Sequence, residues 1–480
     1  MVFSSYLFLF YLLPLSLVLY YGVPRRAKQL VLTILSYVFY GWANPLFLFL
    51  LLGSTLIDFV AALIIDGERA RIAPAGSEGW PTRKARIALT ASLTTNLALL
   101  GFFKYFNFGL DSYDALVSWL GLGHLRLETA LRVTLPLGIS FYTFEAMSYA
   151  IDVYRGGARA IRNFIDYSCY VSMFPQLVAG PIVRFSEIAD QLLHRTHTAT
   201  KFARGIAFFS LGLAKKVLLA NPCGKIADLA FDAGSLSPLD AWYGVTAYAF
   251  QIYFDFSAYS DMAIGLGLMF GFVFAKNFDS PYLAQSITDF WRRWHISLST
   301  WLRDYLYLPL GGNRKGPRRT YLNLFVVMLL GGLWHGAAWN FVIWGGLHGL
   351  LLAYERMRGK APAYGRFGAP VRIAMTFILI LVTWVFFRAA DLPSAMRYLG
   401  QMAGIVSAHD GAALLSGIVY QPYYLGTFVV AAVVTWGCPQ TWDWTRVLTA
   451  PKAIVVAALF VLCAVLLTTQ AYNPFIYFIF

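Results

Sequence analysis

Long apolar stretches recur along almost the whole chain, and short polar stretches separate them. Crossing the hydrocarbon core of a bilayer takes about 20 mainly apolar residues in a helix. The pattern predicts an all-α, polytopic transmembrane protein with one membrane domain over residues 1–480. The predicted spans are 3–21, 29–42, 45–65, 87–103, 134–153, 202–220, 239–274, 321–334, 340–354, 371–388, 424–436 and 453–470.

Several of these stretches are shorter than a full crossing, and glycine or proline interrupts others. Non-helical backbone at membrane depth is tolerated only where protein or a water-filled cavity covers it. We therefore expect re-entrant or discontinuous helices, including one at residues 170–185, where Pro175 and Gly180 interrupt the apolar run. The run 239–274 exceeds one crossing and is expected to form two pieces.

Composition and charge agree with a membrane protein. Only 13% of the residues are charged, against about 25% in soluble domains. The net charge of +14 does not indicate nucleic-acid binding, because the basic residues cluster in short loops, as the positive-inside rule describes. This rule places 66–86, 154–163, 291–319 and 355–370 in the cytoplasm, and places the N-terminus, loop 389–423 and the last residues outside.

His335 interrupts an apolar stretch, sixteen residues after Arg319. At 1.5 Å per residue, a helix would carry it about 24 Å from that basic end, well inside a core of about 30 Å. Residues 331–340 are predicted to break the helix and to bring His335 and Asn340 to a cavity, because the glycines would let a substrate approach the backbone. The alternative is a neutral histidine that is hydrogen-bonded between helices.

A second histidine, His295, lies beside an apolar stripe that predicts a helix at the membrane interface. It could equally be incidental to an aromatic anchor. The stripe consists of Trp291, Trp294, Leu298, Trp301 and Tyr305.

Asp255 and Asp261 lie in an apolar setting, where an unpaired carboxylate would be costly. We expect them to form structural ion pairs with Arg292, Arg293 or a histidine.

The candidate chemistry is group transfer. The sequence contains no G-x-S-x-G, H-E-x-x-H, P-loop or dinucleotide motif, and its four scattered cysteines suggest neither disulfides nor zinc,. No metal site is predicted. A histidine in a membrane cavity can act as general base toward an incoming hydroxyl. The acyl donor would then be a thioester carried on a cytosolic group.

Four motifs in order resemble the membrane-bound O-acyltransferase (MBOAT) superfamily, with a signature core at 250–349. The motifs are YFDFSAYSDMAIG, NFDSPY, FWRRWHISLSTWLRDYLYLPLGG and GLWHGAAWNFVIWGGLHG. The chain is most similar to the bacterial branch concerned with O-acetylation of alginate and peptidoglycan and with D-alanine transfer to teichoic acid. The resemblance implies about 11–13 membrane helices, re-entrant segments and a central funnel or tunnel that reaches the histidine.

The same resemblance implies functional assignments. His335 matches the invariant histidine of the family, and His295 matches the second signature position, which is histidine or asparagine across the superfamily. Asp255, Asp261 and Asn340, singled out above from their apolar setting, are predicted to be supporting polar residues. Acetyl-CoA would donate from the cytoplasm as a substrate, with no tightly bound cofactor. The acceptor would be an extracytoplasmic polysaccharide, reached through an acetyltransferase-like or esterase-like partner protein outside the inner membrane.

The C-terminal segment 471–480 carries the pattern F-x-Y-x-x-F at Phe475, Tyr477 and Phe480. It resembles a C-terminal motif of envelope acyltransferase systems, in which the tyrosine is proposed to hold the acyl group transiently. Tyr477 would then be an acyl relay. The alternative is an aromatic belt that anchors the tail in the lipid headgroups.

Two alternative functions for the whole chain stay open. One is a transporter or scramblase of a lipid-linked glycan, and the other is an acyltransferase acting on a lipid or protein.

Overall fold

The computed structural model describes residues 2–72, 80–127, 132–406, 412–470 and 472–476, and these residues form helices and connections without a β-strand. They group into two compact units. Unit one comprises Leu7–Thr198 and Phe270–Phe274; unit two comprises Val2–Tyr6, Ala199–Met269 and Ala275–Phe480. The single domain over 1–480 stays a prediction.

Unit one is built from helices that bury polar side chains between them. Asp58 accepts hydrogen bonds from Ser92 Oγ (2.5 Å) and Asn96 Nδ2 (2.8 Å) of a neighbouring helix. Such bonds are the usual way to satisfy polar groups between membrane helices. A π-helical turn, Phe8–Leu12, precedes the first helix. The helices are α1 (Leu13–Gly22), α2 (Lys28–Gly41), α3 (Leu46–Ile72), α4 (Arg83–Trp119), α5 (Ile139–Arg155), α6 (Phe164–Ser172), α7 (Phe174–Leu177) and α8 (Phe185–His194).

Unit two contains the predicted signature core apart from Phe270–Phe274. Two π-helical turns, Lys215–Ala220 and Arg303–Tyr307, continue the helices that precede them. Its helices are α9 (Ala199–Ala214), α10 (Asn221–Phe231), α11 (Pro238–Met269), α12 (Ile287–Arg293), α13 (Ile296–Leu302), α14 (Pro317–His335), α15 (Trp339–Met357), α16 (Ala369–Arg388), α17 (Leu392–Met402), α18 (Ala412–Val419), α19 (Pro422–Gly437), α20 (Thr441–Trp444) and α21 (Ala450–Thr469).

Four helices of the described residues, α3, α4, α16 and α21, are long and apolar enough to cross a membrane. They coincide with the predicted spans 45–65, 87–103, 371–388 and 453–470. The all-helical, multi-pass class is therefore confirmed. The number of membrane helices and the central funnel or tunnel stay predictions.

Two expectations about broken helices have different outcomes. The run 239–274 was expected in two pieces, but α11 is one continuous helix of 32 residues. Its Gly265 serves packing instead: a Cβ there would lie 2.6 Å from the Gly205 carbonyl oxygen. Residues 170–185 are interrupted, since α6 ends at Ser172 and a buried turn and irregular stretch follow α7. Whether this stretch is re-entrant stays a prediction.

Candidate active site

His335 is the last residue of α14, and α15 begins at Trp339 after three intervening residues. The predicted break is thus confirmed. Of its glycines, Gly331 lines a cavity that His335 also borders, whereas Gly332 serves helix packing. A Cβ on Gly332 would lie 2.2 Å from the carbonyl oxygen of Phe341, and one on Gly345 would lie 2.5 Å from that of Met328. These glycines let α14 and α15 pack backbone to backbone, as small residues do in membrane helix pairs.

Aromatic rings surround the imidazole of His335, which is only 7% exposed. Its centroid lies 5.0 Å from that of Trp334, 5.3 Å from Trp344 and 5.2 Å from Phe387. Trp344 and Phe387 meet the imidazole edge to face. Rings packed in this way restrict the rotation of the side chain and hold its nitrogen atoms in fixed directions.

A cavity of about 620 Å³ leads to His335. This volume falls within the range of small-molecule sites. Its inner lining is mainly apolar and includes Leu302, Val327 and Met328. Its outer lining is basic. The basic residues are the exposed Arg292, Arg303 and Lys360 and the half-buried Arg356. Arg303 pairs with Asp304, whereas the other three form no ion pair with a described residue.

His335 also borders a second, much smaller space of about 10 Å³. That volume is about the size needed for one water molecule. The lining is otherwise apolar, and it includes Ile476 of the C-terminal segment. The other lining residues are Ile252, Phe256, Trp294, Trp344, Trp384 and Phe387. The imidazole therefore stands between a large cavity with a basic entrance and a small space that the C-terminal segment helps to enclose.

His295 lies between α12 and α13 with φ +44°, so the predicted continuous interface helix is wrong. The stripe breaks at this residue, and Trp294, Leu298 and Trp301 are buried rather than anchored at a surface. His295 is fully buried. Its ring packs on Phe256 (4.6 Å between centroids) and lies 6.1 Å from the Trp334 ring.

Asp255 and Asp261 form ion pairs, as expected, but with other partners. Lys216 Nζ lies 2.7 Å from Asp255 Oδ1, and Lys215 Nζ lies 2.7 Å from Asp261 Oδ2. The predicted partners Arg292 and Arg293 or a histidine are therefore wrong. Both lysines come from the π-helical turn after α9, which runs beside α11. Two lysines inside the apolar run 202–220 could have indicated these partners. Cations within a membrane usually have anionic partners.

The C-terminal segment is held by the same buried pair. The N–H of Ile476 donates to Asp255 Oδ2 at 2.7 Å, and Lys216 Nζ donates to the carbonyl oxygen of Pro474. Phe475 stacks on Tyr259 with centroids 4.7 Å apart. The described chain ends at Ile476, so Tyr477 and Phe480 lie outside the described residues.

Two other polar residues of the signature core have structural partners. Asn340, which was expected at the cavity, does not line it; its Nδ2 donates to the carbonyl oxygen of Ala389 at 2.8 Å and ties α15 to the end of α16. His348 accepts from Trp291 Nε1 and bonds Thr383 Oγ1, each at 3.2 Å. Both of its ring nitrogens are therefore satisfied within the protein.

A buried histidine at the inner end of a cavity, in a multi-pass helical protein, is an arrangement suited to a membrane-embedded transferase. The sequence model of MBOAT, the membrane-bound O-acyltransferase family, matches residues 88–390. The chain belongs to this family and is an acyltransferase.

Two of the three relatives compared match most or all of the chain, and the third matches less than half of it. It is 45% identical to the probable alginate O-acetylase AlgI of Pseudomonas putida over 100% of both chains. It is 39% identical to the peptidoglycan O-acetyltransferase of Helicobacter pylori, over 84% of this chain and 80% of the relative. A teichoic acid D-alanyltransferase of Streptococcus thermophilus is 28% identical over 45% of this chain and 55% of the relative.

Proposed function

We propose that this protein is an O-acetyltransferase of the bacterial inner membrane that takes acetyl from cytosolic acetyl-CoA and passes it outward for O-acetylation of an envelope polysaccharide. Relatives named as alginate and peptidoglycan O-acetylating enzymes support the reaction and the class of acceptor. The observation that carries the proposal is that one histidine borders both the basic-mouthed cavity and the space next to the C-terminal segment.

The donor enters the larger cavity in this proposal. Arg292, Arg356 and Lys360 have no ionic partner among the described residues, and the phosphates of coenzyme A would supply one. Arginine and lysine are the usual side chains that bind phosphate. The apolar inner lining would enclose the pantetheine arm and would direct the thioester toward His335.

The imidazole of His335 acts as general base. It removes the proton of the acceptor hydroxyl while the hydroxyl oxygen attacks the thioester carbonyl carbon. A C–O bond forms, the C–S bond breaks, and the thiolate of coenzyme A leaves and takes up the proton from the imidazolium. Each turn therefore yields one ester and one free thiol, and the histidine returns to its neutral form.

The phenolic hydroxyl of Tyr477 receives the acetyl group first. This part of the proposal is supported by Ile476, the preceding residue, which borders the same small space as His335. A phenyl ester is more reactive than an alkyl ester, which suits a relay. An extracytoplasmic partner protein, similar to an acetyltransferase or an esterase, then moves the acetyl group to the polysaccharide.

The test uses purified protein in vesicles with labelled acetyl-CoA. The wild type should carry label on its C-terminal peptide, and His335→Ala should lose about 10²–10⁴-fold in the rate of labelling, the usual contribution of general base catalysis. Tyr477→Phe should keep thioester binding and lose the labelled peptide. Labelling of His335→Ala at the wild-type rate would refute the transfer mechanism, and label that persists on the C-terminal peptide of Tyr477→Phe would refute the relay.

A further inference from the structure

Asn277 lies in the extended stretch between α11 and α12 and contacts the turn that carries His295. Its side-chain Oδ1 lies 3.2 Å from His295 Nδ1 and accepts from Ser297 N (3.2 Å) and Ser297 Oγ (2.9 Å). Its backbone oxygen accepts from Ile296 N at 2.9 Å. From these contacts we infer that Asn277 is a positioning residue: it fixes the tautomer of His295 and leaves Nε2 to accept a hydrogen bond from the acceptor hydroxyl.

The hydrogen-bond network identifies the amide atoms of Asn277. The backbone N–H of Ser297 can only donate, so the atom that it meets is the oxygen. The amide nitrogen Nδ2 then donates to Ser260 Oγ at 2.9 Å. Ser297 Oγ lies closer to Asn277 Oδ1 (2.9 Å) than to His295 Nδ1 (3.4 Å), so its proton goes to Oδ1. Because Oδ1 accepts, we assign the other proton to His295 Nδ1,. In the neutral imidazole, Nε2 then holds a lone pair and acts as an acceptor.

Nε2 has no hydrogen-bond partner among the described residues, although His295 is fully buried. A buried acceptor without a partner destabilises the folded protein. The left-handed backbone at φ +44° is also unfavourable for a residue other than glycine. Costs of this kind persist where the surrounding structure imposes them, and they are typical of functional sites. A substrate group that donates to Nε2 would remove the first cost.

The indole ring of Trp334 lies near the rings of both His295 and His335. Its ring centroid lies 6.1 Å from that of His295 and 5.0 Å from that of His335. Neither His295 nor Trp334 lines either of the two cavities at His335, but Phe256, on which the His295 ring packs, lines the small space that His335 borders. That the group hydrogen-bonded to Nε2 is the hydroxyl that receives the acyl group rests on the proposed function. The tautomer of His295 follows from the hydrogen bonds around Asn277.

The test combines spectroscopy with kinetics on the full-length protein in nanodiscs. Nitrogen-15 histidine labelling, with His295→Gln to assign the signal, should show His295 neutral and protonated at Nδ1. Asn277→Leu should lose this tautomer preference, and Asn277→Asp, which keeps the acceptor oxygen, should retain it. For acetyl transfer, Asn277→Leu should lower kcat by about 10- to 100-fold, as for partners that orient metal-bound histidines, with an unchanged KM for acetyl-CoA.

Asn340→Leu is the matched control, because Asn340 is a buried asparagine that binds a backbone carbonyl and no histidine. It should leave the His295 signal unchanged. A wild-type His295 protonated at Nε2, or an Asn277→Leu spectrum like that of the wild type, would overturn the inference. If the wild type transfers no acetyl while the tautomer follows Asn277 as described, the proposed function fails and the positioning role stands.

Discussion

Removal of the Lys216 charge should destabilise unit two far more than removal of an exposed cation. Lys216 and Asp255 are 4% and 2% exposed, and the lysine also donates to the Pro474 carbonyl oxygen. Lys216→Met would leave the Asp255 carboxylate buried without its counter-ion, which typically costs about 3–5 kcal/mol. The C-terminal segment would lose the bond to Pro474 and keep the one from the Ile476 N–H to Asp255.

Unfolding in mixed micelles, titrated with sodium dodecyl sulfate and followed by tryptophan fluorescence, measures this cost. The matched control is Lys276→Met, whose pairs with Asp279 and Asp443 are partly exposed and should contribute only about 0–1 kcal/mol. Lys216→Met combined with Asp255→Leu should recover part of the loss, since both charges are gone. If Lys216→Met and Lys276→Met were equally stable, the stabilising role of the buried Lys216–Asp255 pair would be refuted. A double variant no more stable than Lys216→Met would refute it as well.

Two further predictions concern the packing of the helices and the cavity entrance. Gly345→Val should destabilise the protein by about 1–3 kcal/mol through overpacking, because even a Cβ would meet the Met328 oxygen at 2.5 Å. Gly53→Ala, with nothing within 4 Å, should not destabilise it in the same detergent titration. Arg356→Gln with Lys360→Gln should raise the KM for acetyl-CoA about 2- to 30-fold, from ~0.2–1 kcal/mol per exposed ion pair. High salt should reduce the difference in KM between this variant and the wild type. An unchanged KM at low salt would contradict phosphate binding at the cavity entrance.

The sequence predicts the helical class and the break after His335 well, because both depend on local composition. Apolar runs define α3, α4, α16 and α21, and glycines beside His335 mark the end of α14. The partners of Asp255 and Asp261 could not be predicted in the same way. Several cations qualify by charge alone, and only the packing of α11 beside Lys215 and Lys216 selects two of them.

The break at His295 escaped prediction for a related reason. Residues at spacings of three and four fit a continuous helix, and nothing in the local pattern contradicts it. The contacts that stop the helix come from Asn277, whose backbone and side chain together bind the N–H groups of Ile296 and Ser297. A residue eighteen positions away in sequence therefore decides the conformation of His295, and a window of local sequence does not contain that information.

Burial of a polar group at membrane depth does not by itself separate function from structure in this protein. Asp58 and His348 are as buried as the candidate site residues, yet neighbouring side chains satisfy them. His335 differs because two cavities meet at its ring, and His295 differs because one nitrogen lacks a partner among the described residues. An intramembrane ionisable group is a functional candidate by default; cavity access distinguishes His335 from Asp58 and His348, and a ring nitrogen without a partner among the described residues distinguishes His295 from His348.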